Sequence, residues 1–296
     1  MRKHKLIVNP WAGRGAGERV KNKVLAAAAD NGLHYDVEQT EGPRHAERLA
    51  RAASEDYDVI VAVGGDGTVH EVVNGLAVAA DGGVTRHLGI IPIGSGDDFA
   101  FSLGLGRHNV REAVKRIAHG EPRRVDMARI NDEYFANEVG CAFEARVTIE
   151  SRKITAPIGP ALYLIAIFRS LTRYPLPRLR VAWEGDTVER DMLLVSTANG
   201  RRAGGGFLIA PHASVDDGLL DLTFADAIGR AEIVRLLAKV MNGTHVAERP
   251  VHTARTPWVT VESDTPFPVH ADGEVVYTET RRLELAVLLK MLSVLT

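Results

Sequence analysis

Short apolar runs alternate with segments whose apolar positions recur every three or four residues along the first ~120 residues. Lys5–Val8 reads as a strand that ends in a loop, Asn9–Gly17. Glu18–Asp30 reads as a helix, with Val20, Val24, Leu25 and Ala28 on one face and Gly32 as its stop. His34–Gln39 predicts a second strand, and Pro43–Ser54 a second helix with proline at its start. Tyr57–Val63, a run of Val and Ile entering a double glycine, is the clearest buried strand. Thr68–Ala79 follows as a helix, Leu88–Ile93 as a strand, Asp97–Leu103 as a short helix and Val110–His119 as another. The order is that of a parallel sheet with crossover helices.

After Gly120 the rhythm changes. Strand-like segments follow at short spacing: Val125–Ile130, Glu133–Val139, Leu179–Glu184, Thr187–Ala198, Leu219–Ala225, Trp258–Glu262 and Arg282–Leu289. Asn131-Asp132 and Glu184-Gly185-Asp186 have the composition of hairpin tips. This predicts an antiparallel sandwich or barrel, interrupted by helices near Pro160–Tyr174 and Arg230–Met241. The domain boundary is expected near Pro122, giving residues 1–122 as one domain and 123–289 as the next. No repeat or low-complexity segment is present.

The length of 296 residues accommodates two domains. With 45% hydrophobic and 25% charged residues the composition is that of a globular protein. A formal net charge of -2 argues against a dedicated nucleic-acid binder, so no nucleic-acid partner is expected. The one cysteine, Cys141, excludes an internal disulfide and any multi-cysteine metal site, and its apolar flank marks a buried structural residue. The basic N-terminus is followed only by Leu6-Ile7-Val8 before Asn9-Pro10, too short an apolar stretch for a signal peptide. No window reaches the roughly 18 apolar residues of a spanning helix, so a cytoplasmic protein with at most peripheral membrane contact is expected.

Three glycine-rich turns each follow a predicted strand: Asn9–Gly15, Gly64–Thr68 and Gly94-Ser95-Gly96-Asp97-Asp98. The ends of successive strands in an open parallel sheet face one crevice, so the three turns can converge there. Glycine lets the backbone approach phosphate oxygens, and a helix starting at Thr68 adds its positive end. A single such turn is ordinary strand-to-helix punctuation; three together point to a phosphate site. The pattern is neither the Walker sequence nor Gly-x-Gly-x-x-Gly. Without a P-loop lysine, phosphate charge falls to backbone dipoles and Mg²⁺, which Asp66 is suited to hold.

Gly64-Gly65-Asp66-Gly67-Thr68-Val69-His70-Glu71-Val72-Val73-Asn74-Gly75-Leu76 closely resembles the signature of the diacylglycerol kinase catalytic domain family, whose members include soluble bacterial diacylglycerol kinases, sphingosine and ceramide kinases and related bacterial lipid kinases. Asn9-Pro10 with Gly13, and Pro92–Ala100, resemble its other two nucleotide loops. The resemblance implies an α/β nucleotide-binding domain of the NAD kinase/diacylglycerol kinase type plus an antiparallel β-sandwich domain, with ATP in the cleft and residues 290–296 returning to the first domain. Carried over by position, it puts Asn9, Thr40, Gly65, Asp66, Gly67, Thr68, Val69, His70, Glu71 and Ser95 around the nucleotide, and Asp66 at the Mg²⁺–phosphate end. This chain departs from the family at Asp97, where Asn is usual, which puts nucleotide binding or metal use in question. It departs again at His70, where bacterial members commonly have Asn.

Phosphoryl transfer to a hydroxyl calls for a carboxylate at the acceptor oxygen. His270-Ala271-Asp272-Gly273-Glu274 offers two, although Asp-Gly by itself is a hairpin turn. The family resemblance implies that Glu274 is the proton acceptor; His270 is assigned no role. Ser214–Asp221 is a second acidic cluster, by itself a solvated turn. By resemblance it holds a structural Mg²⁺ through Asp217 and the backbone carbonyls of Ser214 and Leu219, with Asp216 and Asp221 farther out. The stretch 146–183 is basic through Arg152, Lys153, Arg169, Arg173, Arg178 and Arg180, with Leu162, Tyr163, Ile165, Ile167, Phe168 and Leu171 interleaved. It reads either as a membrane-facing amphipathic element or as a core helix with a solvated rim.

Together these expectations describe an ATP- and Mg²⁺-dependent lipid kinase of lipid or phospholipid metabolism, acting on a diacylglycerol-like or sphingoid-like hydroxyl. An NAD kinase-like enzyme is the alternative, as is a catalytically silent nucleotide- or lipid-binding protein of the same fold. The acceptor and the oligomeric state stay open, a homodimer included.

Overall fold

The computed structural model describes residues 2–106, 109–154, 160–171 and 176–296, in two compact units: Met1–Met127 with Leu288–Thr296, and Ala128–Val287. In the first unit the elements run β1 (Lys3–Val8), α1 (Ala12–Asp30), β2 (His34–Gln39), α2 (His45–Ala53), β3 (Val59–Gly64), α3 (Asp66–Ala80), β4 (His87–Pro92), α4 (Asp98–Ser102) and α5 (Val110–His119). β3 pairs in parallel with β1 and β4, and β1 with β2. The sheet is parallel because each strand returns through a helix. Strand alternation sends Leu6, Val8, Val59, Val61 and Val63 to one face, where Val24, Ala28, Val114 and Ile117 of α1 and α5 cover them. α2 and α3 pack together, and so closely that a Cβ on Gly75 would lie 2.3 Å from the Glu47 carbonyl oxygen. Every residue of β3 is buried, as its unbroken apolar run requires.

The second unit contains β5 (Pro122–Ile130, which begins in the first unit), β6 (Glu133–Phe135), β7 (Glu138–Ala142), α6 (Phe143–Ser151), α7 (Pro160–Ser170), β8 (Arg178–Trp183), β9 (Asp186–Ala198), β10 (Leu220–Asp226), α8 (Arg230–Val240), β11 (Val251–Thr256), β12 (Trp258–Ala271) and β13 (Glu274–Leu295). Pairings among β7 to β12 are antiparallel, and their inward residues, among them Val181, Met192, Leu222, Val261 and Phe267, form one core. The anticipated hairpin tips are two-residue turns: Ile130 pairs with Glu133, and Trp183 with Asp186. The last residues of β13, Ser293 and Val294, belong to the first unit and pair in parallel with His87 and Leu88.

Several details depart from the expected elements. The segment expected as one strand, Glu133–Val139, is two, because the chain bends at Ala136-Asn137 to point three successive amides at Asp272. α6 and β11 were not anticipated. β12 continues past Glu262 to Ala271 across register shifts, and β13 runs from Glu274 to Leu295 rather than from Arg282 to Leu289. The helix expected over Pro160–Tyr174 is observed to Ser170, with residues 172–174 outside the described set.

Candidate active site

The three glycine loops leave the carboxyl ends of β1, β3 and β4 and lock together inside the first unit. Gly65 and Gly94 stack backbone on backbone: a Cβ on Gly94 would sit 2.5 Å from Gly65 Cα and 2.6 Å from Asp97 Oδ1. One on Gly96 would sit 2.5 Å from Asp66 Oδ2, and one on Gly13 would sit 2.3 Å from the Ile93 carbonyl oxygen. Side chains of any size would hold these loops apart. Asn9 adds a tie, its Nδ2 donating to Thr68 Oγ1 at 2.9 Å. Gly13, Arg14 and Gly15 all have positive φ, so the first loop turns sharply before α1 straightens.

Asp66 is the hub. It begins α3, and its two oxygens accept from the backbone amides of Asp98 (2.6 Å) and Asp97 (2.7 Å) on the neighbouring loop. Burial, with the Asp98 and Asp97 carboxylates close by, pushes its pKa up to about 8. Three carboxylates crowded at the start of a helix call for a proton or a cation between them. Asp97 has φ 55, the left-handed region, and its Oδ1 accepts from the Gly94 amide at 2.9 Å.

The other residues carried over by resemblance fall into two groups. Asn9, Gly65, Gly67 and Thr68 belong to the interlocked loops, and Ser95 is exposed at their rim. Thr40 is buried at the end of β2, its amide donating to the Val8 carbonyl beside Asn9. Val69 and His70 are buried in α3, His70 within 3.4 Å of Asn74 Nδ2. Glu71 turns to α2, where its oxygens accept from the amides of Arg44 (2.8 Å) and Ala46 (3.0 Å) at the helix start. That is capping of one helix by a carboxylate from another.

In the second unit, Asp272-Gly273 forms a two-residue turn with both φ values positive, joining Ala271 of β12 to Glu274 of β13. Glu274 is partly exposed and takes a 2.5 Å hydrogen bond from Arg152 Nη2. Asp272 is buried and faces the other way: its oxygens accept from the amides of Ala136 (3.1 Å), Asn137 (2.9 Å) and Glu138 (3.0 Å). The two carboxylates of the motif thus divide, one anchoring the turn and one presented from it.

The Ser214–Asp221 turn is organised by protein groups. Asp217 accepts from the Leu219 amide at 3.1 Å and pairs with Arg255, while Ser214 Oγ donates to Asp216 at 2.9 Å. Each Asp217 oxygen thus has one protein partner, the Leu219 amide or Arg255. In the basic stretch, Arg152, Lys153, Arg178 and Arg180 pair with Glu274, Glu150, Glu189 and Glu262. Arg173 lies outside the described residues. α7 buries Ala166 and Ile167 in a second core with Phe143, Val147 and Ile233, and leaves Phe168 51% exposed. Cys141 is buried, and burial raises its thiol pKa. Among the described residues no helix is long and apolar enough to cross a membrane.

Sequence reasoning assigned nothing to Arg152 beyond its charge, and missed Glu138 and Glu144 altogether; only their carboxylate chemistry signalled them.

Comparison with known proteins bears on the family and the fold. The family model described as the diacylglycerol kinase catalytic domain matches residues 3–130, and the YegS C-terminal NAD kinase beta sandwich-like domain matches residues 137–296. The diacylglycerol kinase of Mycobacterium tuberculosis is 32% identical over 288 residues, covering 93% of this chain and 91% of that protein. A crystal structure of a diacylglycerol kinase from Bacillus anthracis superposes with a TM-score of 0.74 at 22% identity, covering 99% and 96% of the two chains. Yeast NADH kinase shares the fold at a TM-score of 0.54 and 10% identity, covering 100% and 83%. The chain belongs to the diacylglycerol kinase catalytic domain family.

Proposed function

We propose that the chain transfers the γ-phosphate of ATP to a hydroxyl group of a lipid, diacylglycerol-like or sphingoid-like, with Glu274 as the group that receives the hydroxyl proton. The observation that carries the reading is the interlocked set of glycine loops with Asp66 held across them by the amides of Asp97 and Asp98. Glycine backbones at the start of α3 can cradle phosphate oxygens, and hard carboxylate oxygens suit the Mg²⁺ that accompanies ATP. Asp66, Asp97 and Asp98 fit such an ion by chemistry and charge, and when bound it would neutralise developing charge on the phosphates. No step is assigned to an ion at Ser214, Asp217 and Leu219. Glu274, at the tight Asp272-Gly273 turn and hydrogen-bonded to Arg152, offers a half-exposed carboxylate.

The acceptor is expected at a membrane surface reached by peripheral contact, as lipid acceptors reside there. Phe168 and Arg169 on the exposed side of α7 are the candidates for that contact. The decisive measurement is transfer from labelled ATP to a panel of diacylglycerol, sphingoid base, ceramide and NAD, with wild type and Glu274→Gln. A labelled lipid with wild type, lost in the variant while ATP binding persists, is expected. Labelled NAD alone would replace the lipid reading, and full turnover by the variant would remove Glu274 as the base.

A further inference from the structure

The second unit brings together three ionisable side chains, two buried and one half-buried, that the phosphotransfer reading does not use. Glu138 starts β7 and is 1% exposed; His270, near the end of β12, is 3% exposed; Glu144 lies in the first turn of α6 with its Oε2 buried. The register places His270 opposite Gly140. Glycine there is required: a Cβ would lie 2.4 Å from His270 Nε2 and 2.5 Å from Glu144 Oε2. Ala142, with φ 64, then turns the chain so that Glu144 folds back over Gly140.

One nitrogen of His270 and one oxygen from each glutamate all lie within 4.8 Å of one another, with His270 Nε2 and Glu138 Oε1 3.7 Å apart. Ser196 Oγ bonds Glu138 Oε1 at 3.1 Å, fixing that carboxylate from behind. Neither ring nitrogen of His270 has a hydrogen-bond partner, while the Glu144 carboxyl lies against Glu138 and Ser196. Buried polar atoms normally find partners, and leaving both nitrogens of a buried ring unmet is costly. A core histidine of ordinary structural purpose would donate to a carbonyl, as His245 can to Ile209.

We infer that Glu138, Glu144 and His270 form a binding site for a divalent transition cation of the Zn²⁺ or Mn²⁺ class, independent of the nucleotide loops and of any Mg²⁺ they hold. The imidazole nitrogen selects this class over Mg²⁺, which prefers oxygen alone. Charge balance favours it: a neutral imidazole, two carboxylates and a 2+ ion sum to zero in a site where burial penalises net charge. Burial keeps His270 in that neutral form, lowering its pKa to about 4. Burial likewise disfavours two bare carboxylates side by side, so the Glu138–Glu144 pair favours a partner that brings positive charge. Ligand atoms around tetrahedral Zn²⁺ lie roughly 3.4 Å apart, given bonds of about 2.0–2.1 Å. The His270–Glu138 separation is already near this, and closing a pair as wide as 4.8 Å takes a side-chain movement of about 1.4 Å. Such an ion ties β7, α6 and β12 together two residues before Asp272 and four before Glu274, making it a clamp behind the turn that presents Glu274.

The test uses the full chain, stripped with a chelator and titrated with Zn²⁺, Mn²⁺ and Co²⁺ separately. Uptake of one ion per chain, a rise in Tm and a nitrogen-ligated visible spectrum for the Co²⁺ form are expected. His270→Gln should weaken binding at least ~100-fold, whereas His34→Gln, at an exposed histidine, should leave it unchanged. Because the wild-type Co²⁺ spectrum needs no variant, a poorly folding His270→Gln does not blunt the test. Failure of the stripped wild type to take up any of the three ions, or equal uptake by folded His270→Gln, overturns the site. Neither readout uses turnover, so the result stands apart from the kinase reading.

Discussion

Replacing Gly94 by alanine tests whether loop interlock makes the nucleotide site. The new Cβ would sit 2.5 Å from Gly65 Cα and 2.6 Å from Asp97 Oδ1, where ordinary contacts begin at 3.4 Å. The loops must therefore part by about 1 Å, because one contact is with backbone and the other with a side-chain oxygen already held by the Gly94 amide. Overpacking of this kind costs about 1–3 kcal/mol, offset by about 0.4–1 kcal/mol from the stiffer unfolded chain. The net loss, at most about 2.6 kcal/mol, corresponds to a Tm drop of no more than several degrees. Function should suffer more, since Asp66 is anchored to the displaced loop: a 1 Å shift of a positioning group costs about 100-fold in rate. Gly106→Ala is the control, at an exposed glycine with no atom within 4 Å of the added carbon. Thermal unfolding, binding of a fluorescent ATP analogue and ATP-dependent lipid phosphorylation should separate the two variants. Gly94→Ala with turnover within roughly threefold of wild type, and unchanged nucleotide affinity, would refute the reasoning.

Asp272→Ala strands three buried amides and should cost on the order of 3–5 kcal/mol in urea unfolding, whereas Asp272→Asn keeps the oxygen that serves Asn137 and Glu138 and should cost about 1–2 kcal/mol. Equal losses would show that the turn is held by something else. Divalent-cation-dependent nucleotide binding should strengthen as pH rises through about 8, where Asp66 ionises, with titrations between pH 6.5 and 9 as the check. Because the folded pKa lies above the unfolded 3.8, Asp66's contribution to stability is fully present below that value and lost as pH rises through about 8. Asp97→Asn should move the midpoint to lower pH by removing a neighbouring negative charge; an unmoved midpoint would mean that Asp97 does not act on Asp66.

The parallel half was legible because its signals are local. β2 and α5 have the expected bounds, and the strand-to-helix loops announce themselves by glycine at the ends of apolar runs. The antiparallel half was read in rhythm but not in extent. Pro266 and Pro268 break the β pattern of β12, and the register shifts around them are how the strand survives. α6 follows a left-handed Ala142, a conformation that no composition rule assigns to alanine. Asp272 was invisible as an anchor because its partners are 134 to 136 residues away. His270 and Glu138 are likewise far apart in the chain, and only the β7–β12 register makes them neighbours.

Asp97 shows how a departure from family pattern separates geometry from charge. The position needs a residue that tolerates φ 55 and carries an oxygen able to accept the Gly94 amide, and aspartate meets both demands as asparagine does. Its own amide donates to Asp66 whatever its side chain. The loop therefore keeps its form, and what changes is the field: a third carboxylate joins Asp66 and Asp98 and helps push the Asp66 pKa upward. A site with that excess of negative charge repels bare phosphate more strongly and rewards a bound cation more strongly. On the proposed kinase reading, aspartate at 97 leaves the loop's form intact and makes phosphate binding more dependent on the cation that comes with it.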